Sequence, residues 1–213
     1  MQSPALQTAT ASEPLSLDEE YSMQRSWRTD HDKLTFIICL PLPSNSEHDD
    51  TGPDSVDVLT AGLHDRDERM VGDINLFLSA PDEEPDADVN VAGLVGEVEL
   101  MIALPSLQRQ GFGRAALVTF MAFVLDNWTL IAREYRSGSE RSAAKVPPQL
   151  TYLRVRINVD NARSIALFES IGFIAEAAGP NYFGEVELRW TGTVEDAKRL
   201  QGYEEVRVLR YVN

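Results

Sequence analysis

The feature that most constrains the fold is a continuous segment in which a strand, a turn with two glycines and a helix follow one another. Residues 94–103 alternate between two sets of side chains, which is the pattern of a strand with two different faces. After a turn that contains Pro105, apolar side chains recur at helical spacing from about Gly113 to Trp128. The unpaired N–H groups at the start of a helix, together with the helix dipole, attract anions. The segment therefore predicts an anion-binding site between the strand and the helix.

The turn over residues 108–115 has the sequence QRQGFGRA. Gly111 and Gly113 have no side chain that would block the approach of a phosphate group. Arg109 and Arg114 supply guanidinium groups for charge-assisted hydrogen bonds. We therefore expect the turn to bind a phosphorylated ligand.

The residues of the turn leave other interpretations open. Gly111–Ala116 matches a relaxed dinucleotide fingerprint, but that fingerprint needs an acidic residue about 20 positions later, at the end of the next strand. Here the comparable region is a loop near Glu134, and the next strand begins near Tyr152. A P-loop is excluded because no Gly-Lys-Ser/Thr sequence follows. An ordinary turn with glycines for packing stays possible.

A second segment, NARSIALFESIGF at residues 161–173, has the pattern of a short capped helix. Asn161 is a favourable N-cap, and such a cap stabilises a helix by roughly 1 kcal/mol. Gly172 followed by Phe173 suits the end of a helix that begins near Ala162. The segment therefore predicts a helix from about Ala162 to Ile171.

The rest of the chain alternates between strand and helix patterns. Ser16 and Glu19 have the spacing of a capping box that opens a helix over Leu17–Trp27. Gly72 and Asp73 are the expected place of a β-bulge. Further strands are predicted at Leu34–Leu40, Met70–Leu78, Tyr152–Val159 and Tyr182–Trp190. This order predicts an α/β or α+β fold with a central sheet flanked by helices.

Composition divides the chain into one domain with inserts. Residues 1–12 are expected to be a flexible lead-in, and residues 13–190 the domain. Segments rich in Pro, Ser, Gly and charge predict three inserts, at residues 41–69, 79–92 and 132–149, and we expect the amides of 41–69 and 132–149 to exchange fast. Residues 191–213 form a charged C-terminal extension, in which Val206–Val212 is a candidate strand.

The charge of the chain restricts its partners. A net charge of −15 argues against binding to the phosphate backbone of nucleic acids and to anionic membranes, and it would attract a basic peptide or amine. No apolar stretch of about 20 residues and no signal peptide is visible. The single cysteine, Cys39, predicts a buried structural thiol in a reducing compartment, and we expect a cytoplasmic protein. His31, His48 and His64 have no metal-ligand spacing, so no metal is expected.

Together, the two segments resemble the coenzyme A site of the GNAT acetyltransferases. Gln-x-x-Gly-x-Gly after an apolar strand is similar to their pyrophosphate loop, and the Asn that opens a helix closed by Gly-Phe is similar to the second half of their site. The resemblance covers about residues 13–190. It implies a central mixed, twisted sheet and an acetyl-CoA-dependent N-acetyltransferase that uses acetyl-CoA as its cosubstrate.

Three other segments narrow the resemblance to the N-acetyltransferase nine branch. They are ASEPLSLDEEYSMQRSW, MVGDINLFL, and GEVELMIA followed by QRQGFG. The branch is named for acetylation of alpha- and beta-tubulin, so the resemblance implies a protein amino group as substrate. Relative to the branch, the chain is expected to lack a first strand and helix, because the matching segment starts near Leu6. Phe168 stands where many GNAT enzymes have a tyrosine general acid, and phenylalanine cannot donate a proton.

The resemblance also implies which residues form the site. The pantetheine arm would pair with the backbone of Met101 to Ala103, and a backbone N–H there would hold the oxyanion. The residues implied in cofactor binding are Met101, Ile102, Ala103, Gln108, Arg109, Gln110, Gly111, Phe112, Gly113, Arg114, Asn161 and Phe168.

Glu97 is the first candidate for the general base and Glu99 the second, although both could be solvated or salt-bridged strand residues. Tyr182 is expected to pack rather than to line the amine pocket. Gly113→Val is expected to block the cofactor phosphate. A GNAT-fold binding module that barely catalyses is the alternative function, and a dinucleotide oxidoreductase is a more distant one.

Overall fold

The structure, a computed structural model, describes residues 15–42, 58–81, 93–138, 147–176 and 179–212. Within this part of the chain, six strands form one mixed sheet. They are β1 (Lys33–Cys39), β3 (Met70–Ser79), β4 (Leu94–Ile102), β5 (Leu150–Asn158), β6 (Ile174–Ala175) and β7 (Glu185–Trp190). Their order across the sheet is β1-β3-β4-β5-β7-β6. β4 and β5 are parallel, and the other neighbours are antiparallel.

Five α-helices and a smaller sheet complete the described residues. The helices are α1 (Leu17–Trp27), α2 (Phe112–Asp126), α3 (Trp128–Ser137), α4 (Ala162–Glu169) and α5 (Val194–Lys198). Short 3-10 helices lie at Asp67–Arg69 and Pro105–Leu107. β2 (Val58–Thr60) and β8 (Arg210–Val212) pair in parallel as a separate two-stranded sheet. Strands with helices confirm the predicted α/β class.

One face of the large sheet is apolar and carries the core. Leu76, Val98 and Leu153 of this face are buried together with Leu117 and Met121 of α2. The alternation of side chains along each strand directs these residues to the same side, because Leu76 pairs with Val98 and Leu153 with Gly96. Burying a side chain of this size typically stabilises a fold by about 1.5–3 kcal/mol. The core therefore fixes α2 against the centre of the sheet.

Several sequence predictions are confirmed at the residue level. The Ser16 side chain accepts a hydrogen bond from the Glu19 amide, and the Glu19 carboxylate accepts from the Ser16 amide, so α1 begins with the predicted capping box. The strand predicted at Met70–Leu78 is present and is one residue longer. A bulge is also present, but the extra residue is Val71, since Ile38 pairs with Gly72 and Cys39 with Met70.

The predicted long helix ends earlier than expected, and a second helix follows it. The amide and the side-chain Nδ2 of Asn127 both donate to the Phe123 carbonyl, at 3.0 and 2.9 Å, and close the last turn of α2. The chain then turns by 73° into α3. Residues 132–137 of the insert predicted at 132–149 therefore belong to this helix. Their charges lie on the outer face of an amphipathic helix whose inner face buries Ile131 and Ala132.

The insert predicted at 41–69 meets the C-terminal extension. Residues 58–69 of the insert predicted at 41–69 contain β2, which pairs with β8 of the extension 191–213. The Tyr211 hydroxyl donates to the Asp65 carboxylate at 2.6 Å next to this pair. Fast exchange, expected for residues 41–69 and 132–149, stays a prediction, and much of it falls on residues 43–57 and 139–146, outside the described residues. The predicted lead-in, residues 1–12, also lies outside the described residues. The expected loss of a first strand and helix therefore stays a prediction.

Among the described residues, no single helix is long and apolar enough to cross a membrane. α2 and α3 meet the requirements of length and composition only as a pair bent by 73°.

Candidate functional site

The start of α2 presents unpaired backbone donors. Gly111, the N-cap, has φ 92° and ψ −13°, a left-handed conformation that glycine adopts without strain. Its carbonyl accepts the first helical hydrogen bond, from the Ala115 amide at 3.0 Å. No side chain caps this end, and within the described residues nothing accepts a hydrogen bond from the amides of Phe112, Gly113 and Arg114. Three convergent N–H groups at the positive end of a helix suit a diphosphate.

The glutamines of the turn hold its shape. The Nε2 of Gln108 donates to the Ile102 carbonyl at 3.0 Å, and the Nε2 of Gln110 donates to the Ser106 carbonyl at 2.5 Å. Arg109 has a positive φ of 61° and lies exposed at the tip. These side chains therefore tie the turn to the end of β4 and to the short helix before it, while the Arg109 guanidinium stays available to an anion.

The two glycines of the turn face different surroundings. A Cβ atom built on Gly111 would meet nothing within 4 Å, so this residue borders open space. A Cβ atom on Gly113 would lie 3.6–3.7 Å from the side chains of Leu100, Ile102 and Leu167. A valine at position 113 would therefore extend into the contact of α2 with β4 and α4. It would not lie in front of the amides, contrary to the cause expected from the sequence.

Arg114 connects α2 to two other parts of the fold. Its guanidinium donates to the Ser170 hydroxyl at the end of α4. Its stem packs against Gly202, where an added Cβ atom would lie 3.3 Å from the Arg114 Cγ. The C-terminal extension thus supports the first turn of α2, which sequence reasoning did not foresee.

β4 and β5 separate beside this helix start. Their pairing ends with Glu97 opposite Arg154, although β4 continues to Ile102 and β5 to Asn158. Beyond Glu97, one edge of β4 has no strand partner among the described residues, and Gly113 lies next to it. The end of β4 therefore offers backbone groups to a ligand in the gap between the strands.

The pantetheine arm is expected to pair with the backbone of Met101 to Ala103. The N–H groups of Met101 and Ala103 do not face this gap. The Ala103 amide donates to the Val71 carbonyl at 2.9 Å, on the β3 side. Because successive residues of a strand point their backbone groups to opposite sides, Met101 also faces β3, and Leu100 and Ile102 face the gap. Within the expected stretch Met101 to Ala103, the Ala103 N–H is therefore engaged by β3 and does not face the gap. The available donors are the amides of Leu100 and Ile102.

Glu97 belongs to a network of ion pairs on the polar face of the sheet. Its Oε2 accepts hydrogen bonds from the Nε of Arg154 at 2.8 Å and the Nη1 of Arg156 at 3.4 Å. Arg154 is only 4% exposed. Arg156 also contacts Glu187 at 3.2 Å, and Glu187 accepts from Arg189 at 2.6 Å. The salt-bridged interpretation left open for Glu97 is thus the one that its contacts support. Arg154 and Arg156 alternate with buried Val155 and Ile157, which is the signal that could have revealed the network.

Glu99 has a different environment, although it lies on the same face two residues later. No hydrogen bond from the described residues reaches its carboxylate. Its side chain is exposed to solvent, but nearby protein atoms partly desolvate it and raise its pKa, and the negative charge of Glu97 raises the pKa further. The neighbouring Asp73, which pairs across with Met101, also has a raised pKa because of desolvation, although it accepts a hydrogen bond from Asn75 at 2.7 Å. A carboxylate with a raised pKa and free oxygens is suited to accept a proton.

The second predicted segment forms the helix that the sequence indicates. Asn161 caps α4, because its Oδ1 accepts a hydrogen bond from the Ser164 amide at 3.2 Å. Gly172 follows with φ 100°. Phe168 is 3% exposed and packs edge-to-face on Phe173, with ring centroids 5.0 Å apart. Phe168 is therefore a core residue that does not line an open cofactor surface.

Other residues singled out from the sequence lie away from the gap or differ from expectation. Tyr182 is 97% exposed, and its ring contacts the Phe183 ring edge-to-face on the surface, so its expected packing role is wrong. Cys39 lies in β1 and is half-buried. His31 pairs with Glu134 at 2.8 Å.

Comparison with known proteins gives consistent results. The family model described as "Acetyltransferase (GNAT) domain" matches residues 1–174. The chain is 35% identical to the "N-acetyltransferase 9-like protein" of Schizosaccharomyces pombe, over 88% of this chain and 83% of that one. It is 36% identical to the "Alpha/beta-tubulin-N-acetyltransferase 9" of Drosophila melanogaster, over 88% and 73%. Its human namesake is 31% identical, over 90% and 71%. Among solved structures, a spermidine N-acetyltransferase from Vibrio cholerae, in complex with CoA and spermine, matches with a TM-score of 0.47 at 16% identity, over 87% and 80%.

Proposed function

Since the chain belongs to the GNAT acetyltransferase family, as an acetyl-CoA-dependent enzyme similar to N-acetyltransferase 9, we propose that its acceptor is a protein amino group of the tubulin type. The observation that supports acetyl-CoA binding at this site is the gap between β4 and β5, which lies directly beside the amides of α2 that are unpaired among the described residues. The names of the Drosophila and human relatives support the class of acceptor.

Acetyl-CoA would supply the acetyl group as a thioester, and this chain offers matching groups for each part of it. The amides of Phe112, Gly113 and Arg114 would hold the diphosphate, with Arg109 adding charge from the tip of the turn. The backbone of Leu100 and Ile102 would pair with the pantetheine arm along the open edge of β4. One of these two N–H groups would then stabilise negative charge on the acetyl oxygen.

We assign Glu99, rather than Glu97, as the proton acceptor. The amine nitrogen bonds to the acetyl carbon while the carbon–sulfur bond breaks, and Glu99 takes the proton that the amine loses. Glu97 already accepts hydrogen bonds from two arginines through Oε2, so the same atom is not free for the amine. The leaving thiolate takes its proton from solvent, because Phe168 has none to give.

The test is acetyl transfer from labelled acetyl-CoA to amino-terminal peptides of alpha- and beta-tubulin. We expect the wild type to acetylate a peptide with a free amino terminus and to leave a blocked peptide unlabelled. Glu99→Gln should lower kcat by about 10²–10⁴-fold, which is the usual contribution of a general base. Glu97→Gln is the matched variant on the same strand face. It should lower the stability of the protein and have little effect on kcat.

Two outcomes would contradict the proposal. If Glu99→Gln transfers acetyl at the wild-type rate, Glu99 is not the base. If the protein binds coenzyme A in calorimetry but labels no peptide, the binding module that Phe168 motivates replaces a protein acetyltransferase as the better description.

A further inference from the structure

Lys33 is held between two aromatic rings on the polar face of the sheet. Its Nζ lies 3.9 Å from the centroid of the Trp27 ring and 4.4 Å from that of Phe77. Trp27 is the last residue of α1, and Phe77 is the direct partner of Lys33 in the pairing of β1 with β3. Two rings at this distance attract a cation and restrict where its flexible stem can place the charge. The ammonium group is therefore fixed by α1 and β3 together.

Lys33 lies on the same side of the sheet as Glu99. Lys33 pairs with Phe77, which in turn pairs with Glu97, and residues paired across strands share a face. Glu99 is two residues further along that face. The charge of Lys33 thus lies two strands away from the carboxylate to which we assign the proton transfer, about 10 Å between strand axes.

The charges around these two groups come from several elements. The groups that act most on Glu99 are Glu97, Lys33, Asp73 and Glu185, from β4, β1, β3 and β7. The positive charge of Lys33 opposes the effect of the three carboxylates. Those that act on Lys33 are Glu99, Asp30, Asp32 and Asp73. Desolvation lowers the pKa of Lys33, and these carboxylates raise it again.

We propose that Lys33 is a positioning residue of acetyl transfer, whose ammonium, clamped between Trp27 and Phe77, keeps the Glu99 carboxyl ionised and ready to accept a proton. The inference rests on the proposed function, since it assumes that Glu99 is the base. Lys33 acts through Glu99 and does not touch the reacting atoms.

The direct test is a carbon-13 NMR titration of the Glu99 carboxyl, assigned by its disappearance in Glu99→Gln. In Lys33→Met, which keeps the apolar stem and removes the charge, we expect the titration midpoint of Glu99 to move to higher pH. Lys33→Arg keeps the charge and should leave the midpoint close to wild type. The acidic limb of the pH profile of kcat/KM should move in the same direction in Lys33→Met.

Two further variants separate charge from packing. Trp27→Leu keeps the lysine but removes one ring, and it should move the midpoint in the same direction by a smaller amount. Lys198→Met removes a lysine that pairs with Asp126 on α2 at 2.7 Å, and it should leave both the midpoint and the profile unchanged.

An unchanged Glu99 midpoint in Lys33→Met would overturn the inference, as would an equal shift in Lys33→Arg. The NMR titration needs no activity, so it decides the role of Lys33 even if no peptide is acetylated. Conversely, active wild type with an unshifted profile in Lys33→Met would refute this inference and leave the proposed function standing.

Discussion

At the scale of single residues, Glu97 and Glu99 lie on one strand face, but their carboxylates have different environments. Glu97 is paired with Arg154 and Arg156, whereas Glu99 is exposed, accepts no hydrogen bond from the described residues and has a raised pKa. Arginine partners therefore stabilise the ionised form of Glu97, whereas partial desolvation and the charge of Glu97 disfavour the ionised form of Glu99.

We expect Glu99→Gln to raise the free energy of unfolding at pH 7. The folded-state pKa of Glu99 is raised, so the folded protein binds more protons than the unfolded chain between the unfolded and folded pKa values. Stability therefore falls as the pH rises through that window, and the full cost is present above it. Urea unfolding from pH 4 to 8 should show the gain of the variant growing with pH, and a variant less stable than wild type at pH 7 would contradict this.

Glu97→Gln should have the opposite effect. Removing one partner of a buried ion pair typically costs about 3–5 kcal/mol, and we expect the lower end of that range because Glu97 is partly exposed. The same urea titrations at pH 7 measure it. A loss below roughly 0.5 kcal/mol, as at surface sites, would show that the pair with Arg154 contributes little.

Gly111→Ala should weaken coenzyme A binding. The residue has φ 92°, where a Cβ atom is strained by roughly 1–2 kcal/mol, and relief of that strain would tilt the amides that follow. We expect calorimetry to show an affinity about tenfold lower. Gly113→Ala, with ordinary contacts at 3.6–3.7 Å, should bind nearly as wild type. Gly62→Ala introduces the same kind of strain at φ 70° but outside the turn. If Gly62→Ala binds coenzyme A normally, the weaker binding of Gly111→Ala is due to its position in the turn.

At the scale of secondary structure, features that depend on local sequence are predictable from it, whereas features that depend on tertiary contacts are not. The Ser16–Glu19 capping box, the Asn161 cap and the Gly111 turn depend on neighbours within a few residues, so the sequence predicts them. The separation of β4 from β5 after Glu97 and the pairing of β2 with β8 depend on distant segments, for which the sequence has no local signal.

Asn161→Ala should destabilise the protein by about 1 kcal/mol, because the Ser164 amide loses its acceptor at the start of α4. Asn161→Asp keeps an acceptor oxygen and should be close to wild type in urea unfolding. Measuring coenzyme A affinity tests whether the Asn161 side chain also contacts the ligand, as the family resemblance implies. If it does, the affinity should fall in both variants.

At the scale of the whole molecule, the net charge of −15 acts on the encounter with a cationic substrate. For peptides with added lysines, kcat/KM should fall as ionic strength rises to about 0.5 M, because salt screens long-range attraction. kcat should change little, since the bound complex is already formed. Peptides with added glutamates should show the reverse trend, and identical salt profiles for both would exclude electrostatic steering.

Beyond Glu97, β4 has no strand neighbour on one side in the part of the chain that the structure describes, and this has a thermodynamic consequence. A molecule that completes the missing ladder binds only the native chain, so at a hundredfold excess over its Kd it adds about 2.7 kcal/mol to the unfolding free energy. The melting temperature of the protein therefore rises with ligand occupancy. Compounds can thus be ranked by how far they raise the melting temperature, before any acceptor has been identified.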